Sequence, residues 1–315
     1  GLVGGILNPL FIGCPKYLMP PLAFLAKPVR WLRAISELRT NIAGGPNFAY
    51  QLCVDKISEE EAADLDLSCW EVAFNGAEPI RPETLAAFNA KFAPNGFRPT
   101  SHYPCYGMAE TTLLVTGGDS PELPLIQGFD RQALDGYKAI PVGSPKGKDT
   151  FNGNADLEKD NVRDLVACGF VQPHEKIIIV DPKSFELLED GLIGEIWING
   201  VTVGQGYWNK PEESAECFEA TCKGSDEHFL RTGDLGFFFN DQIFVTGRLK
   251  DLIIIRGVNR YPQDIEATVE NASTRLQNSG SAAFSVDVQG SERLVIVSET
   301  ERSRDKNWST VIDDV

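Results

Sequence analysis

The chain has 315 residues, 42% of them hydrophobic, and 29 Lys and Arg stand against 45 Asp and Glu, a formal net charge of −16. This apolar content is enough for a sizeable core, and the acidic balance argues against nucleic acid or an anionic membrane as the main partner. Seven scattered cysteines without a Cys-x-x-Cys pair, and only three histidines, argue against zinc ligation and a disulfide framework and favour a reducing cytoplasm. No uninterrupted apolar run could span a bilayer, so we expect no membrane insertion.

The two ends of the sequence do not look like the ends of a whole protein. The chain begins at Gly1 without a Met, a charged leader or a cleavage signature. It ends, after residues 307–311, within what resembles the middle of a domain. We therefore expect a piece of a longer protein.

The first hundred residues alternate helices with turns. Pro28 can begin a helix in which Trp31, Leu32, Ile35 and Leu38 recur at helical spacing. The Gly-Pro sequence of residues 43–50 predicts a tight turn, and its two aromatic residues fit a pocket wall or a corner of the core equally well.

Two strand-end loops follow each other along the chain. Residues 69–74 predict a buried strand that breaks at Asn75, and a helix begins at Pro82. Residues 104–112 form a second loop of this kind, followed by an apolar, strand-like run at residues 113–115. Open α/β sheets bind ligands at the carboxyl ends of their strands, so we expect the two loops to share one crevice.

The later part of the chain is rich in β-strand signals. Residues 116–181 are rich in Gly, Pro, Asp and Lys, and helical periodicity recurs only near residues 162–166. The predicted strands that follow are residues 176–180, 194–198, 242–247, 252–255, 282–286 and 294–297. Helices are predicted to begin at Pro211 and Pro262, and the charged residues 248–251 mark a domain boundary.

The loop at residues 104–112 has the chemistry of a nucleotide site. The Tyr106 ring can stack on a base, Gly107 lets the backbone come close, and Glu110 with Thr111 can hold a phosphate-bridging Mg²⁺ through hard oxygen ligands. Taken alone, the stretch equally fits a loop in which Tyr106 packs and Glu110 faces water.

Other catalytic motifs are missing from the sequence. It has no Gly-x-Ser-x-Gly, His-Glu-x-x-His or Gly-x-Gly-x-x-Gly pattern. Residues 143–149 are basic and glycine-rich, but their spacing is wrong for a phosphate loop, and we expect a solvated surface loop. His102, His174 and His228 lack a nearby nucleophile or ligand partner, so we expect structural roles for them.

Four short motifs in a fixed order resemble one superfamily. They are residues 75–79, residues 104–112, residues 231–234 and residues 247–251 with Gly257. This set resembles the adenylate-forming enzymes: acyl-CoA synthetases, luciferases and nonribosomal-peptide adenylation domains. Residues 44–53, 97–99, 128–134 with 139–141, and 201–208 further resemble fatty acyl-AMP ligases. In particular, residues 128–141 are similar to the insertion that separates those ligases from acyl-CoA synthetases and packs against the main body.

The resemblance implies a fold and a division into domains. It implies an α/β adenylate-forming fold in which residues 1–249 are the latter part of a large N-terminal domain. That part would combine layered α/β structure with a β-rich subdomain at about residues 170–249. Residues 250–315 would be the hinge and the beginning of a small α+β C-terminal domain.

The resemblance also implies a role for each motif residue. Asn75, Gly76, Ala77 and Glu78 would line the adenine site, largely through their backbone. Tyr106, followed by Gly107 and Met108, would stack on the adenine ring. Glu110 would hold Mg²⁺, and Thr111 would lie near the α-phosphate. Each of these short motifs is weak by itself, and the assignment rests on the four occurring in this order.

The downstream motifs would complete the site. Asp234 would accept hydrogen bonds from the ribose hydroxyls, because a buried carboxylate is a natural acceptor for a diol. Arg248 would contact the ribose or a phosphate as a fixed cation. Lys250 would be the hinge about which the C-terminal domain rotates between two half-reactions. The structural alternatives are an ion pair between Asp234 and Arg231, and an interstrand charge for Lys250.

The implied activity is ATP-dependent activation of a medium or long fatty acid. ATP and Mg²⁺ would be the cofactors, pyrophosphate would leave, and the acyl group would pass to the phosphopantetheine thiol of an acyl carrier protein or a polyketide synthase carrier domain. Phe48 and Trp31 are candidates for the acyl channel, with a core role as the alternative for Trp31. The family's phosphate loop, its histidine and its C-terminal lysine are absent from residues 1–315, so we expect this segment alone to be inactive.

Three other functions stay open from the sequence. A CoA-using acyl or aryl ligase would share the nucleotide site. A nonribosomal-peptide adenylation domain would need a polar anchor for an amino group. A non-catalytic remnant could serve as a nucleotide-binding or scaffold module.

Overall fold

The fold is given by a computed structural model that describes residues 1–119, 121–147, 150–151, 161–255, 258–273, 275–288, 291–300 and 311–312. Three features predicted from the sequence lie wholly or partly outside these residues: Gly257, the 143–149 loop at Lys148 and Asp149, and most of residues 307–311. No helix among the described residues is both long and apolar enough to cross a membrane.

The elements follow in chain order. The helices are α1 (Asn8–Ile12), α2 (Pro21–Ala26), α3 (Val29–Leu38), α4 (Asn47–Lys56), α5 (Glu59–Ala62), α6 (Pro82–Phe92), α7 (Arg131–Asp135), α8 (Pro211–Phe218) and α9 (Pro262–Ala272). The strands are β1 (Ile42–Gly45), β2 (Val72–Asn75), β3 (His102–Tyr106), β4 (Thr116–Gly117), β5 (Ile126–Asp130), β6 (Pro141–Val142), β7 (Val162–Val166), β8 (Phe170–Val171), β9 (Glu175–Val180), β10 (Gly194–Gly200), β11 (Ala220–Thr221), β12 (His228–Phe239), β13 (Gln242–Arg248), β14 (Ile253–Ile255), β15 (Val258–Arg260), β16 (Leu276–Val288) and β17 (Ser291–Thr300).

A five-stranded sheet with the order β1-β2-β3-β4-β8 forms the first layer. Strands β1, β2 and β3 run parallel, while β4 pairs antiparallel with β3 and β8. An aromatic core packs beneath it, in which Trp70, Tyr50 and Phe88 are fully buried. The helix predicted from Pro28 is α3, which buries Leu32 and Ile35 in this core.

Three local predictions for this layer were wrong. Residues 43–50 are not a tight turn: residues 42–45 pair in register with β2, and α4 starts directly after Pro46. The buried strand begins at Val72 rather than residue 69, because Trp70 packs into the core and donates its indole N–H to backbone carbonyls of Ala43 and Val72. The apolar run at 113–115 is likewise no strand; only the two residues of β4 are.

A small sheet, β6-β5-β7, contains the segment that resembles an insertion. The helical periodicity near residues 162–166 was misleading: this segment is β7, and all five residues pair antiparallel with β5. Phe129 of β5 is fully buried, and its ring lies edge-on to Phe237 and Phe244 at centroid distances of 5.0 and 5.4 Å. The insertion-like segment at residues 128–141 is therefore packed into the body of the protein through Phe129 and is not only a surface loop.

The β-rich part is a twisted antiparallel sheet with the order β11-β12-β10-β9, to which β13 adds beside β12. Strands β9, β10 and β13 agree with the strands predicted at residues 176–180, 194–198 and 242–247, whereas β11 and the central strand β12 were not predicted. The domain limits inferred for residues 170–249 stay a prediction.

The segment after β13 packs back on the preceding chain. A short 3-10 turn, Leu249–Asp251, leads to the β14–β15 hairpin, α9 and the β16–β17 hairpin. Arg260 pairs with Asp135 at 2.7 Å, and Arg81 pairs at 3.1 Å with Glu270, whose side chain is almost fully buried. These ion pairs connect the segment to the end of α7 and to the residue directly before α6.

Candidate functional site

The two strand-end loops leave the sheet side by side. Strands β2 and β3 are parallel, with Ala73 opposite His102 and Asn75 opposite Pro104. The loops that follow them, at residues 76–79 and 107–112, therefore emerge at the same edge, as the sequence predicted. Ala77 and Thr112, one in each loop, have φ angles of 73° and 66°. Such conformations cost about 1–3 kcal/mol in a non-glycine residue and concentrate at functional sites.

The first loop is tied to the helix beside it. Asn75 is fully buried, and Gly76 lies so close to the backbone of Cys105 that a Cβ there would be 2.7 Å from its carbonyl oxygen. The Glu78 carboxylate accepts a hydrogen bond from the backbone N–H of Phe48 in the first turn of α4. Glu78 thereby satisfies a free N–H at a helix start, where a negative charge is also favourable.

Tyr106, Asp234 and Arg248 meet across three strands. The Tyr106 hydroxyl donates to Oδ2 of Asp234 at 2.7 Å, and Nε of Arg248 donates to Oδ1 at 3.1 Å. Asp234 and Arg248 face each other on β12 and β13, so the strand register itself sets up this pair. Burial raises the pKa of the Asp234 carboxyl above its ordinary value, against the opposing effect of its hydrogen bonds with Tyr106 and Arg248.

The alternative in which Asp234 pairs with Arg231 was wrong. Arg231 instead donates from Nη2 and Nε to one oxygen of Glu195, at 2.9 and 3.1 Å. The other oxygen of Glu195 accepts the backbone N–H of Gly233 at 3.1 Å. The Arg231 guanidinium also lies over the Trp197 ring. Only 2% of the Glu195 side chain is exposed, so this carboxylate fixes the backbone immediately before Asp234 from inside the sheet.

Glu110 lies in a 3-10 turn, Ala109–Thr111, directly after β3. Its Oε1 atom accepts a hydrogen bond of 2.8 Å from the Tyr207 hydroxyl, and its backbone carbonyl accepts the N–H of Gly204 at 2.7 Å. Glu110 is close enough to Asp234 to contribute to the raised pKa of that carboxyl. Glu110 follows Tyr106, the Asp234 partner, by four residues, so both carboxylates lie at this end of β3.

The neighbours of Glu110 in the turn are held by the backbone. Thr111 is fully buried, and its hydroxyl donates to the carbonyl of Met108 at 3.0 Å. At Gly107 a Cβ would be only 1.8 Å from the carbonyl oxygen of Leu113, so the turn has no room for a side chain there. In this geometry Thr111 presents no exposed hydroxyl, and a contact with a phosphate would require its side chain to turn.

Arg248 and Lys250 differ in their surroundings. About 67% of the Arg248 side chain is exposed although its Nε is bonded, which leaves its outer guanidinium nitrogens accessible. Lys250 is exposed in the turn between β13 and β14, which agrees with the alternative of a charge between two strands. Its role as a hinge stays a prediction. His102, for which a structural role was expected, is buried against Phe97 with a ring distance of 4.9 Å.

Two residues at the site were not identified from the sequence. Glu195 lies in a strand that the sequence predicted. Because a charged residue in a buried strand is usually paired, its position between apolar neighbours could have predicted a buried ion pair. Tyr207 lies within residues 201–208, whose resemblance assigns it no role of its own. Nothing in a single sequence indicates that its hydroxyl reaches a carboxylate 97 residues away.

Comparisons with known proteins agree with this geometry. The family model described as AMP-binding enzyme matches residues 1–208. The medium-chain-fatty-acid–acyl-carrier-protein ligase JamA of Moorena producens is 44% identical over 307 residues, which is 97% of this chain and 50% of that protein. The chain spans about half the length of the curated relatives that it matches.

The solved structures that resemble this chain include fatty acyl-adenylate ligases. One chain from a study of fatty acyl-adenylate ligases of E. coli and L. pneumophila superposes with a TM-score of 0.86 at 32% identity, covering 99% of this chain and 52% of the other. The fatty acyl-adenylate ligase of L. pneumophila in complex with acyl adenylate and pyrophosphate gives 0.75 at 36% identity, covering 100% and 54%. The α/β adenylate-forming fold and the resemblance to fatty acyl-AMP ligases are thereby confirmed. The chain belongs to the AMP-binding enzyme family.

Proposed function

We propose that the whole protein converts a fatty acid and ATP into an acyl-adenylate and pyrophosphate, and then transfers the acyl group to an acyl carrier protein. The observation that carries this proposal is the convergence of Tyr106, Asp234, Arg248 and Glu110 at one sheet edge. The names of the relatives support the substrate class, because the relatives JamA and TtuA are medium-chain-fatty-acid–acyl-carrier-protein ligases.

The ribose is proposed to bind at Asp234. Each oxygen of this carboxylate accepts one hydrogen bond, from Tyr106 or from Arg248. An ionised carboxylate has about four acceptor positions, so room remains for the two hydroxyls of a ribose. The exposed outer nitrogens of Arg248 can donate to the ribose or a phosphate from the same side. The adenine would then lie along residues 75–78 and against Tyr106.

Mg²⁺ is proposed to bind at Glu110, and the donor set fits this ion. Mg²⁺ in nucleotide sites is held by one or two carboxylates together with phosphate oxygens, not by an all-protein cage. In the described part of the chain, no three His, Cys, Asp or Glu side chains are grouped to hold a metal. Glu110 supplies one partly exposed carboxylate with a single hydrogen bond to Oε1. When bound there, the ion would neutralise charge on the phosphates and on the departing pyrophosphate.

The proposed chemistry has two half-reactions. In the first, a carboxylate oxygen of the fatty acid bonds to the α-phosphorus while the bond from that phosphorus to the pyrophosphate oxygen breaks. In the second, a phosphopantetheine thiolate bonds to the acyl carbon and AMP leaves. Thr111, near the α-phosphate, and Lys250, as the hinge between the two half-reactions, are proposed on the resemblance alone.

The acceptor is proposed to be a carrier domain, free-standing or in a polyketide synthase, in the cytoplasm. All seven cysteines of the chain are free thiols, which supports a reducing compartment. The packed core position of Phe129 in the insertion-like segment supports a fatty acyl-AMP ligase rather than an acyl-CoA synthetase.

The test is acid-dependent exchange of pyrophosphate into ATP by the whole protein, with fatty acids of different length, followed by transfer to a carrier protein or to free CoA. We expect exchange, and thioester formation on the carrier but not on CoA. Glu110→Ala should abolish exchange, while Glu216→Ala, which removes an exposed carboxylate of α8, should leave it unchanged. Thioester formation with free CoA would favour a CoA ligase. Exchange that survives Glu110→Ala unchanged would refute the metal assignment.

A further inference from the structure

The segment at residues 201–210 covers the turn that contains Glu110. Besides the bond from Gly204 N–H to the Glu110 carbonyl, the hydroxyl of Thr112 donates to the carbonyl of Thr202 at 2.8 Å. The Tyr207 hydroxyl adds the third connection, to Oε1 of Glu110. A segment about 90 residues further along the chain thus contacts both the backbone and the carboxylate of the turn.

Tyr207 is held in place from several directions. Its backbone N–H donates to Oγ of Ser214 in α8 at 2.8 Å, and its ring packs edge-on against Phe218 with centroids 5.1 Å apart. Gly206 makes this approach possible, because it has a φ of 134° and a Cβ there would be 2.8 Å from Ser214. The hydroxyl is therefore positioned by α8 and does not depend on Glu110 for its orientation.

The hydrogen bond between Tyr207 and Glu110 involves one of the two carboxylate oxygens and leaves the other available for a ligand. A carboxylate oxygen can only accept, so the Tyr207 hydroxyl is the donor in its 2.8 Å hydrogen bond to Oε1 of Glu110. Among the described residues, no hydrogen bond to Oε2 of Glu110 is formed. A carboxylate fixed through one oxygen presents the other in a defined direction.

We propose that Tyr207 is a positioning residue for the metal site: its hydroxyl fixes Glu110 through Oε1 so that Oε2 can bind a divalent cation carried by the nucleotide. This inference rests on the proposed function, because it assumes that Glu110 binds the cation. Groups that orient a metal-binding side chain in this way contribute about 10- to 100-fold to metal affinity. Because Tyr207 is partly exposed, we expect the lower end of that range.

The test measures metal binding rather than turnover. Binding of ATP to the whole protein is followed by calorimetry in EDTA and over a series of Mg²⁺ concentrations, and Mn²⁺ binding to the ATP-loaded protein is followed by electron paramagnetic resonance. Tyr207→Phe keeps the ring against Phe218 and removes only the hydroxyl. Tyr137→Phe is the matched control, since it makes the same change in the turn after α7.

For Tyr207→Phe we expect an apparent affinity for Mg²⁺ and Mn²⁺ that is about tenfold weaker, with ATP affinity in EDTA and thermal unfolding unchanged. In a Glu110→Ala background the same substitution should have no further effect on metal affinity, which separates positioning from general damage to the loop. Unchanged metal affinity would overturn the inference, and so would tighter binding, which would make Tyr207 a competitor of the metal. If the unsubstituted protein binds ATP without any dependence on metal, the assignment of Glu110 in the proposed function fails as well.

Discussion

The buried ion pair between Glu195 and Arg231 gives a sharp test of how the site is supported. Glu195→Ala would remove the three hydrogen bonds from Arg231, of which the one to Oε1 is long, and the one from the Gly233 N–H. Breaking a buried pair by deleting one partner costs about 3–5 kcal/mol, and a buried N–H without an acceptor costs about 1 kcal/mol more. About 23% of the Arg231 side chain is exposed and it keeps its contact with Trp197, so part of this cost is recovered in water. We expect a loss of about 3 kcal/mol in the free energy of unfolding of this sheet.

Urea unfolding followed by tryptophan fluorescence measures this loss, because Trp197 lies beside the pair. Glu195→Gln should cost less than Glu195→Ala, since its amide oxygen can still accept the Gly233 N–H. The control is Glu227→Ala, which removes the exposed ion pair with Lys176 and should change the free energy by no more than about 0.5 kcal/mol. A loss below about 1 kcal/mol for Glu195→Ala would refute the view that this carboxylate holds the strand before Asp234.

Three further predictions concern the core, the turn and the pH dependence. Phe129→Ala should lower the free energy of unfolding by about 3–5 kcal/mol, because its ring is fully buried. The control Ile140→Ala, at an exposed position of the same segment, should change it by no more than about 0.5 kcal/mol. Equal effects of the two substitutions in chemical denaturation would contradict the packing. Gly107→Ala should lower the thermal midpoint strongly or prevent soluble expression, because its Cβ would lie 1.8 Å from a carbonyl oxygen; an unchanged midpoint would contradict that geometry. Because the pKa of Asp234 is raised on folding, its contribution to stability is present below the ordinary pKa of Asp and is lost as the pH rises through the raised value. The thermal midpoint of the unsubstituted protein, compared with that of Asp234→Asn, should therefore fall as the pH rises from below the ordinary pKa of Asp, about 3.9. A difference that is constant with pH would contradict the burial.

The elements that could be predicted from the sequence are those whose own residues indicate where a helix begins or which of its faces is buried. Pro28 and Pro82 mark helix starts by their fixed φ, and apolar spacing marks the faces of α3 and α6. Segment 162–166 was misjudged because its structure as β7 is decided by pairing with β5, which local periodicity does not report. Segment 43–50 was misjudged because a Gly-Pro sequence is also compatible with a strand end followed by a helix start.

The candidate site shows the same limit in its side chains. Motif order was enough to select Tyr106, Glu110, Asp234 and Arg248, and the structure brings these four together. The sequence could not predict which arginine pairs with Asp234, because the pairing depends on strand register. The register of β12 with β13 places Arg248 opposite Asp234. On the other side of β12, Arg231 pairs with Glu195 of β10. Long-range register is the information that a single sequence carries least directly.

The surroundings of the two carboxylates suit different ligands. Asp234 is 7% exposed and already accepts one neutral and one charged donor, so it can add neutral hydroxyl donors but has little space for a hydrated cation. Glu110 is partly exposed and accepts one neutral donor, which leaves an oxygen accessible to an ion that keeps several of its waters. If the two assignments were exchanged, a metal would have to lose its water beside Arg248, whose positive charge would repel it. On electrostatic grounds, these contacts therefore favour the arrangement in which the ribose binds at Asp234 and the cation binds at Glu110.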